Sequence, residues 1–181
     1  MTAPGSDGDF SAVIAEMDRY IPKRVRLAML DLVLAWARVD TTIAQLATAA
    51  FGMDPTVGAV VFKRTPVPDR LRKMRELNLQ LGRLDNAKAL RKLKDQYEKH
   101  SEPRNTIAHA ACVGFLTAPD RLVFLPFEAA ESFGRLAVDI VPLRLIVEAT
   151  TFAKHVDKTA NALIDEQRVR DEAKTSEADR K

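Results

Sequence analysis

A chain of 181 residues has the length of one domain and can bury a real core, and its 46% apolar and 29% charged residues exclude a disordered polymer. The single cysteine, Cys112, excludes an intrachain disulfide and a thiolate metal cluster. The opening MTAPGSDGDF has neither the basic nor the apolar region of a signal peptide, and no apolar run approaches the ~20 residues that span a bilayer, so the expectation is a cytoplasmic protein with no membrane partner.

Residues 1–8 read as a disordered start, and Asp9 or Ser11 is placed to cap a short helix to about Tyr20. Pro22 stands near the start of a long helix reaching Phe51. Val25, Met29, Leu32, Trp36, Val39, Ile43, Leu46 and Ala50 alternate spacings of four and three, a sustained helical stripe. Leu27, Leu30 and Leu34 form a second apolar face, which predicts burial on two sides, and Gly52 is a candidate C-cap. The Gly- and Pro-rich segment GMDPTVGAVVFKRTPVP reads as a connection with an apolar patch at Val60–Phe62.

A helix begins near Pro68-Asp69, carries Leu71, Met74, Leu77 and Leu81 on one side, and ends at Gly82. Asp85 or Asn86 can cap the next, with Leu90, Leu93 and Tyr97 inward and Lys88, Arg91, Lys92 and Lys94 outward. Pro103 cannot continue the helical hydrogen bonds, so a new turn is expected there, preceded by Ser101 or Glu102. CVGFLTAPDRLVFLPF predicts two short strands around a turn at Ala118-Pro119-Asp120, with a third strand at Leu136–Ile140. From Pro142 helical spacing returns through Leu145, Ala149, Phe152, Val156 and Leu163. The charged tail after Glu166 is expected to fray.

Between Lys63 and Arg104 the chain holds 13 Lys/Arg and 6 Asp/Glu, a local balance of +7 (13 − 6), against +3 for the whole. Such asymmetry fits a surface that neutralises phosphates, and it equally fits the solvated faces of amphipathic helices. A glycine-rich phosphate loop and a G-x-S-x-G nucleophile turn are both absent from the sequence, and its three histidines are too scattered to form a zinc site with Cys112. His100 falls at the end of a basic helix, where a helix dipole favours it. Tyr20, Tyr97 and Trp36 read as packing residues, and no partner for His155 is evident.

The segment SEPRNTIAHA, residues 101–110, concentrates the remaining chemistry. On a helix Asn105 and His109 are i, i+4 neighbours, and Arg104 points about 140° around the axis from His109. One helix thereby offers a cation, an amide and an imidazole to one groove.

R-N-x-x-x-H resembles the mark of the HEPN (higher eukaryotes and prokaryotes nucleotide-binding) superfamily, an Arg, a polar residue and then a His after four to six positions. Residues 104–109 match at motif strength, although Ala110 stands where relatives often have glycine. Over roughly residues 15–165 the order of long helices, motif, small strand pair and final helix is also similar to HEPN-like bacterial proteins. The resemblance implies a mostly all-α, HEPN-like bundle of long antiparallel helices with a small β-hairpin after the motif helix, one domain over residues 9–166, with 167–181 as the tail. It implies a metal-independent endoribonuclease without a cofactor, of toxin or defence type, that works as a homodimer on RNA. An inhibitory antitoxin protein is a further partner of such systems.

In that scheme His109 is the acid–base group, Arg104 stabilises charge on the phosphorane, and Asn105 orients the histidine or the phosphate. The basic residues Arg72, Lys73, Arg75, Lys88, Arg91, Lys92 and Lys94 would hold the rest of the RNA backbone. A non-catalytic HEPN-like adaptor for a protein or nucleotide is the alternative from the same resemblance. A helical dimer unrelated to the superfamily is the third.

Overall fold

The computed structural model describes residues 13, 15–117, 119–126 and 138–178, with side chains to residue 169. Its helices are α1 (Lys23–Ala50), α2 (Pro55–Phe62), α3 (Val67–Gln80), α4 (Leu84–His109) and α5 (Leu143–Ala178), and its strands are β1 (Ala110–Thr117), β2 (Asp120–Pro126) and β3 (Asp139–Pro142). The protein is mostly α-helical with one small antiparallel sheet in the order β1-β2-β3. Among the described residues no helix is long and apolar enough to cross a membrane. The disordered start expected at 1–8, the caps Asp9 and Ser11, Ala118 of the turn, Leu136 and residues 179–181 lie outside the described residues.

The chain forms two compact units: residues 1–33 with 101–149, here the sheet unit, and residues 34–100 with 150–181, here the helical unit. Helices α1, α4 and α5 contribute residues to each. Of the stripe on α1, Val25, Leu32, Trp36, Val39 and Ile43 are buried, Met29 and Leu46 are half-buried, and Ala50 at its end is exposed. Val25 and Leu32 lie in the core of the sheet unit, and Trp36, Val39 and Ile43 in that of the helical unit. The second apolar face is not buried: Leu27, Leu30 and Leu34 are exposed, because they project from the side of α1 opposite its stripe.

In the helical unit, the segment read as a connection after Gly52 contains α2. Asp54 caps it, its Oδ1 accepting from the amides of Thr56 at 2.8 Å and Val57 at 3.3 Å, and Pro55 occupies the first turn. Those amides hold the Asp54 carboxyl below the ordinary carboxylate range. Gly58 is buried against Thr48, where a Cβ would collide with the threonine side chain. Gly52 and Gly82 follow α1 and α3 with φ of 61° and 68°, so both helices end as predicted.

Arg70 on α3 fastens this unit. Its guanidinium is buried, with Nη1 donating to Asp40 O at 2.7 Å and Asp40 Oδ1 at 2.8 Å, and Nη2 donating to Phe62 O at 2.8 Å. Trp36 meets Tyr97 edge to face at 4.9 Å and Phe152 at 6.1 Å, so both expected packing rings do pack. His100 does not sit at a helix end. It lies inside α4 and stacks on Phe152 at 4.6 Å.

In the sheet unit, β1 and β2 pair from Ala110↔Pro126 to Thr117↔Asp120 with a bulge between Cys112 and Gly114, and β2 pairs with β3 from Arg121↔Pro142 to Phe124↔Asp139. The predicted turn is therefore a hairpin, while the third strand falls at Asp139–Pro142, so that helix α5 starts only at Leu143. Asp18 forms an isolated bridge with Phe115, and Gly114 leaves no room for a Cβ beside Met17 and the Asp18 carbonyl. Phe115, Leu122, Phe124 and Ile146 make the core. Tyr20, expected to pack, is instead exposed.

Replacing Arg70 by Ala is expected to destabilise the protein by about 3 kcal/mol, since two buried carbonyls lose a charged donor. Asp40→Asn, at a largely exposed carboxylate, should remove less than about 1 kcal/mol. Urea denaturation of the two variants measures both.

Candidate functional site

The motif occupies the last turns of α4, a helix of 26 residues that contains Pro103 and ends on His109. The new turn expected at Pro103 does not form. The helix runs through it, giving up the amide hydrogen bond that a proline cannot make to Lys99. Burial of the Pro103 ring and partial burial of Thr106 and Ile107 hold this end of α4 down in the sheet unit. Arg104, Asn105, Ala108 and His109 consequently face water. The three residues singled out from the sequence thus share the solvent side of one helix end.

Arg104 Nη1 donates to Asn105 Oδ1 at 3.1 Å. The amide of Asn105 therefore restrains the arginine, its neighbour in sequence, and leaves the remaining guanidinium N–H groups free to meet an anion. His109 is the final helical residue, and β1 begins at the next position. Chemically, the turn presents a fixed cation and a proton-transfer group in water, a combination that suits a phosphodiester.

The hairpin that follows His109 is held by a residue at the start of α1. Arg24 donates through Nη1 to Asp120 Oδ2 at 2.7 Å and through Nη2 to Asp120 Oδ1 at 2.9 Å, and its guanidinium lies 5.8 Å from the Phe115 ring centre. This two-pronged hydrogen bond lowers the Asp120 carboxyl below its usual range and raises Arg24. Cys112 on β1 is half-buried, and burial pushes its thiol up. Neither contact between positions so far apart in the chain was legible in the sequence.

The seven basic candidates belong to the helical unit, whereas the motif belongs to the sheet unit. Arg72, Lys73 and Arg75 are on α3, with Arg72 bound to Asp69 at 3.3 Å and Glu76 at 3.1 Å. Its hydrogen bonds to Asp69 and then Glu76 raise its pKa. On α4, Lys88 pairs with Asp85 at 3.5 Å and Lys94 with Glu98 at 2.7 Å, while Arg91 and Lys92 are exposed. Much of the local positive charge is therefore met within the same helices.

The helical unit also has a groove of about 820 Å³, lined by Leu46, Leu77, Leu90, Leu93 and Leu163 with His155 at its wall. Four helices contribute to it, which is why His155 had no visible partner in the sequence. Among the described residues, no three His, Cys, Asp or Glu side chains are grouped to hold a metal ion. Comparison of the chain with protein-family models, curated proteins and solved structures finds no match.

The Arg24–Asp120 pair carries a defined pH dependence. Its carboxyl is lowered in the folded state, so its stabilisation is present above the unfolded value near 3.8 and is lost as pH falls through the lower folded value. Asp120→Asn should accordingly melt below wild type at pH 7, and the gap should close as the pH drops under 3.8. Thermal melts across that range test it.

Proposed function

We propose that this chain is a HEPN-like endoribonuclease that cleaves RNA without a metal ion, as a homodimer in which two copies of the motif form one site. The observation that carries the reading is the exposed helix end where Arg104, held by Asn105, shares the solvent side with His109. A mostly helical chain whose motif helix leads directly into a small antiparallel sheet agrees with the layout such enzymes have.

Cleavage by the 2′-hydroxyl requires one group to take its proton and another to protonate the departing 5′-oxygen. The new P–O bond closes a 2′,3′-cyclic phosphate as the P–O5′ bond breaks. One imidazole does not readily serve both ends in one turnover, and a two-fold dimer supplies a second. His109 of one copy acts as base and His109 of the other as acid. Arg104 stabilises the dianionic phosphorane, with the geometry of a bidentate phosphate donor. Asn105 acts on the arginine, restricting its guanidinium before substrate arrives. The exposed Lys73, Arg91 and Lys92 provide backbone contacts whose strength falls with salt. An antitoxin that covers the motif would restrain such an enzyme.

Purified protein incubated with RNA in EDTA should give products ending in 2′,3′-cyclic phosphate. His109→Ala and Arg104→Ala should each lower the rate by about 10²-fold or more, and Asn105→Ala by less. Equal cleavage by wild type and His109→Ala would defeat the assignment, as would 3′-hydroxyl ends alone. RNA binding without cleavage in any variant would point to the adaptor instead.

A further inference from the structure

The groove of about 820 Å³ takes no part in the chemistry of the motif, and every residue that lines it belongs to the helical unit. Protein interiors are close-packed, and a hollow of this volume between helices falls in the range of small-molecule sites, roughly 300–1,000 Å³. Its walls are apolar and wet. Leu46, Leu77, Leu90 and Leu93 are only half-buried, and Leu163 is 46% exposed. On α4 the lining runs from Asn86 to Gln96, about 15 Å along the axis at ~1.5 Å per residue. Phe152 marks the Gln96 end, because His100, one turn further along α4, stacks on it. The other end lies at the turn between α3 and α4.

That turn gathers polar groups. Gly82, with φ of 68°, brings the chain round so that Arg83 N donates to Asn78 O at 2.8 Å. Asn78 is buried; its Nδ2 donates to Met74 O at 2.8 Å, and Asn86 Nδ2 donates to Asn78 Oδ1 at 3.4 Å. Each amide nitrogen carries two hydrogens and spends one in these bonds. Arg83 lines the groove as well, and among the described residues its guanidinium has neither an ion pair nor a hydrogen bond. The acidic lining residue Glu166 has an interaction of its own and does not pair with Arg83.

We propose that this groove binds a fatty acid, with the carboxylate at Arg83, Asn78 and Asn86 and the chain laid along the leucines toward Phe152. A carboxylate suits the guanidinium fork and accepts from both amides. Each methylene that leaves water against Leu77, Leu90 and Leu93 adds to the affinity. A helix from a partner protein fits less well, since three turns about 10–12 Å wide fill on the order of 1,400 Å³. The site shares no residue with the motif, so it stands whether or not the chain cleaves RNA.

Calorimetric titration of the full chain with octanoate, decanoate and dodecanoate, each below its micelle concentration, should show one site. The affinity should rise by about two- to fourfold for each added methylene. Arg83→Gln should weaken decanoate about tenfold and leave decanol within about twofold, because only the acid meets the guanidinium. Ala89→Trp adds bulk from an exposed position on the wall and should abolish binding of both, while melting remains that of a folded chain. The absence of saturable binding, or several equivalent ligands per chain, overturns the proposal. Decanol bound as tightly as decanoate does the same, as does an Ala89→Trp chain that binds like wild type. An acidic, leucine-rich helical peptide that binds more tightly than dodecanoate assigns the groove to a protein partner and also overturns it.

Discussion

Val25, Leu32, Trp36, Val39 and Ile43 leave water almost completely, and all five project from one side of α1. Burial of each contributes about 2 kcal/mol. Both units draw their cores from this stripe, so the rotation of α1 about its own axis is fixed at every turn from 25 to 43. Turning the helix over would expose Trp36 and bring Lys23 and Arg26 inward, and unpaired charges are costly to bury. What remains outside follows from that constraint. The leucines at 27, 30 and 34 have no place in either core.

Around this helix the two units are held by different means. The helical unit uses aromatic packing of Trp36 with Tyr97 and Phe152, and one buried guanidinium, Arg70, that satisfies backbone carbonyls at Asp40 and Phe62. The sheet unit uses strand pairing and the exposed bidentate pair between Arg24 and Asp120. The motif belongs to the second kind of surroundings. Its helix end is held by the burial of Pro103 and by the strand that starts immediately after His109, and its chemistry is left in water.

The parts of the fold that were legible in advance were those set by periodicity and by turn chemistry. The long stripe of α1 is one, and the glycines that close α1 and α3 are another. The hairpin was marked by the turn signal Ala118-Pro119-Asp120 between two short strand-like runs. Three features were misjudged because a local rule met a tertiary one. The segment around Val60 carried Gly and Pro, yet the Asp54 cap and the close fit of Gly58 on Thr48 make it a helix. Pro103 should have interrupted α4, but its ring is buried and the helix continues with one bond fewer. His100 then becomes an interior helical residue, stacked on a phenylalanine far away in sequence.

The sequence by itself determined the mostly helical character, the inward face of α1, the hairpin after the motif, and the coincidence of Arg104, Asn105 and His109 within two turns of helix. These are local: spacing along one element suffices to place side chains on a common side. Tertiary structure alone decided that Arg70 is buried on the Asp40 and Phe62 carbonyls, that Arg24 pairs with Asp120, and that Leu27, Leu30 and Leu34 stay exposed. Each of those depends on rotamers or on which neighbours cover a surface. Composition and periodicity describe how apolar a face is, whereas only packing determines whether anything lies over it.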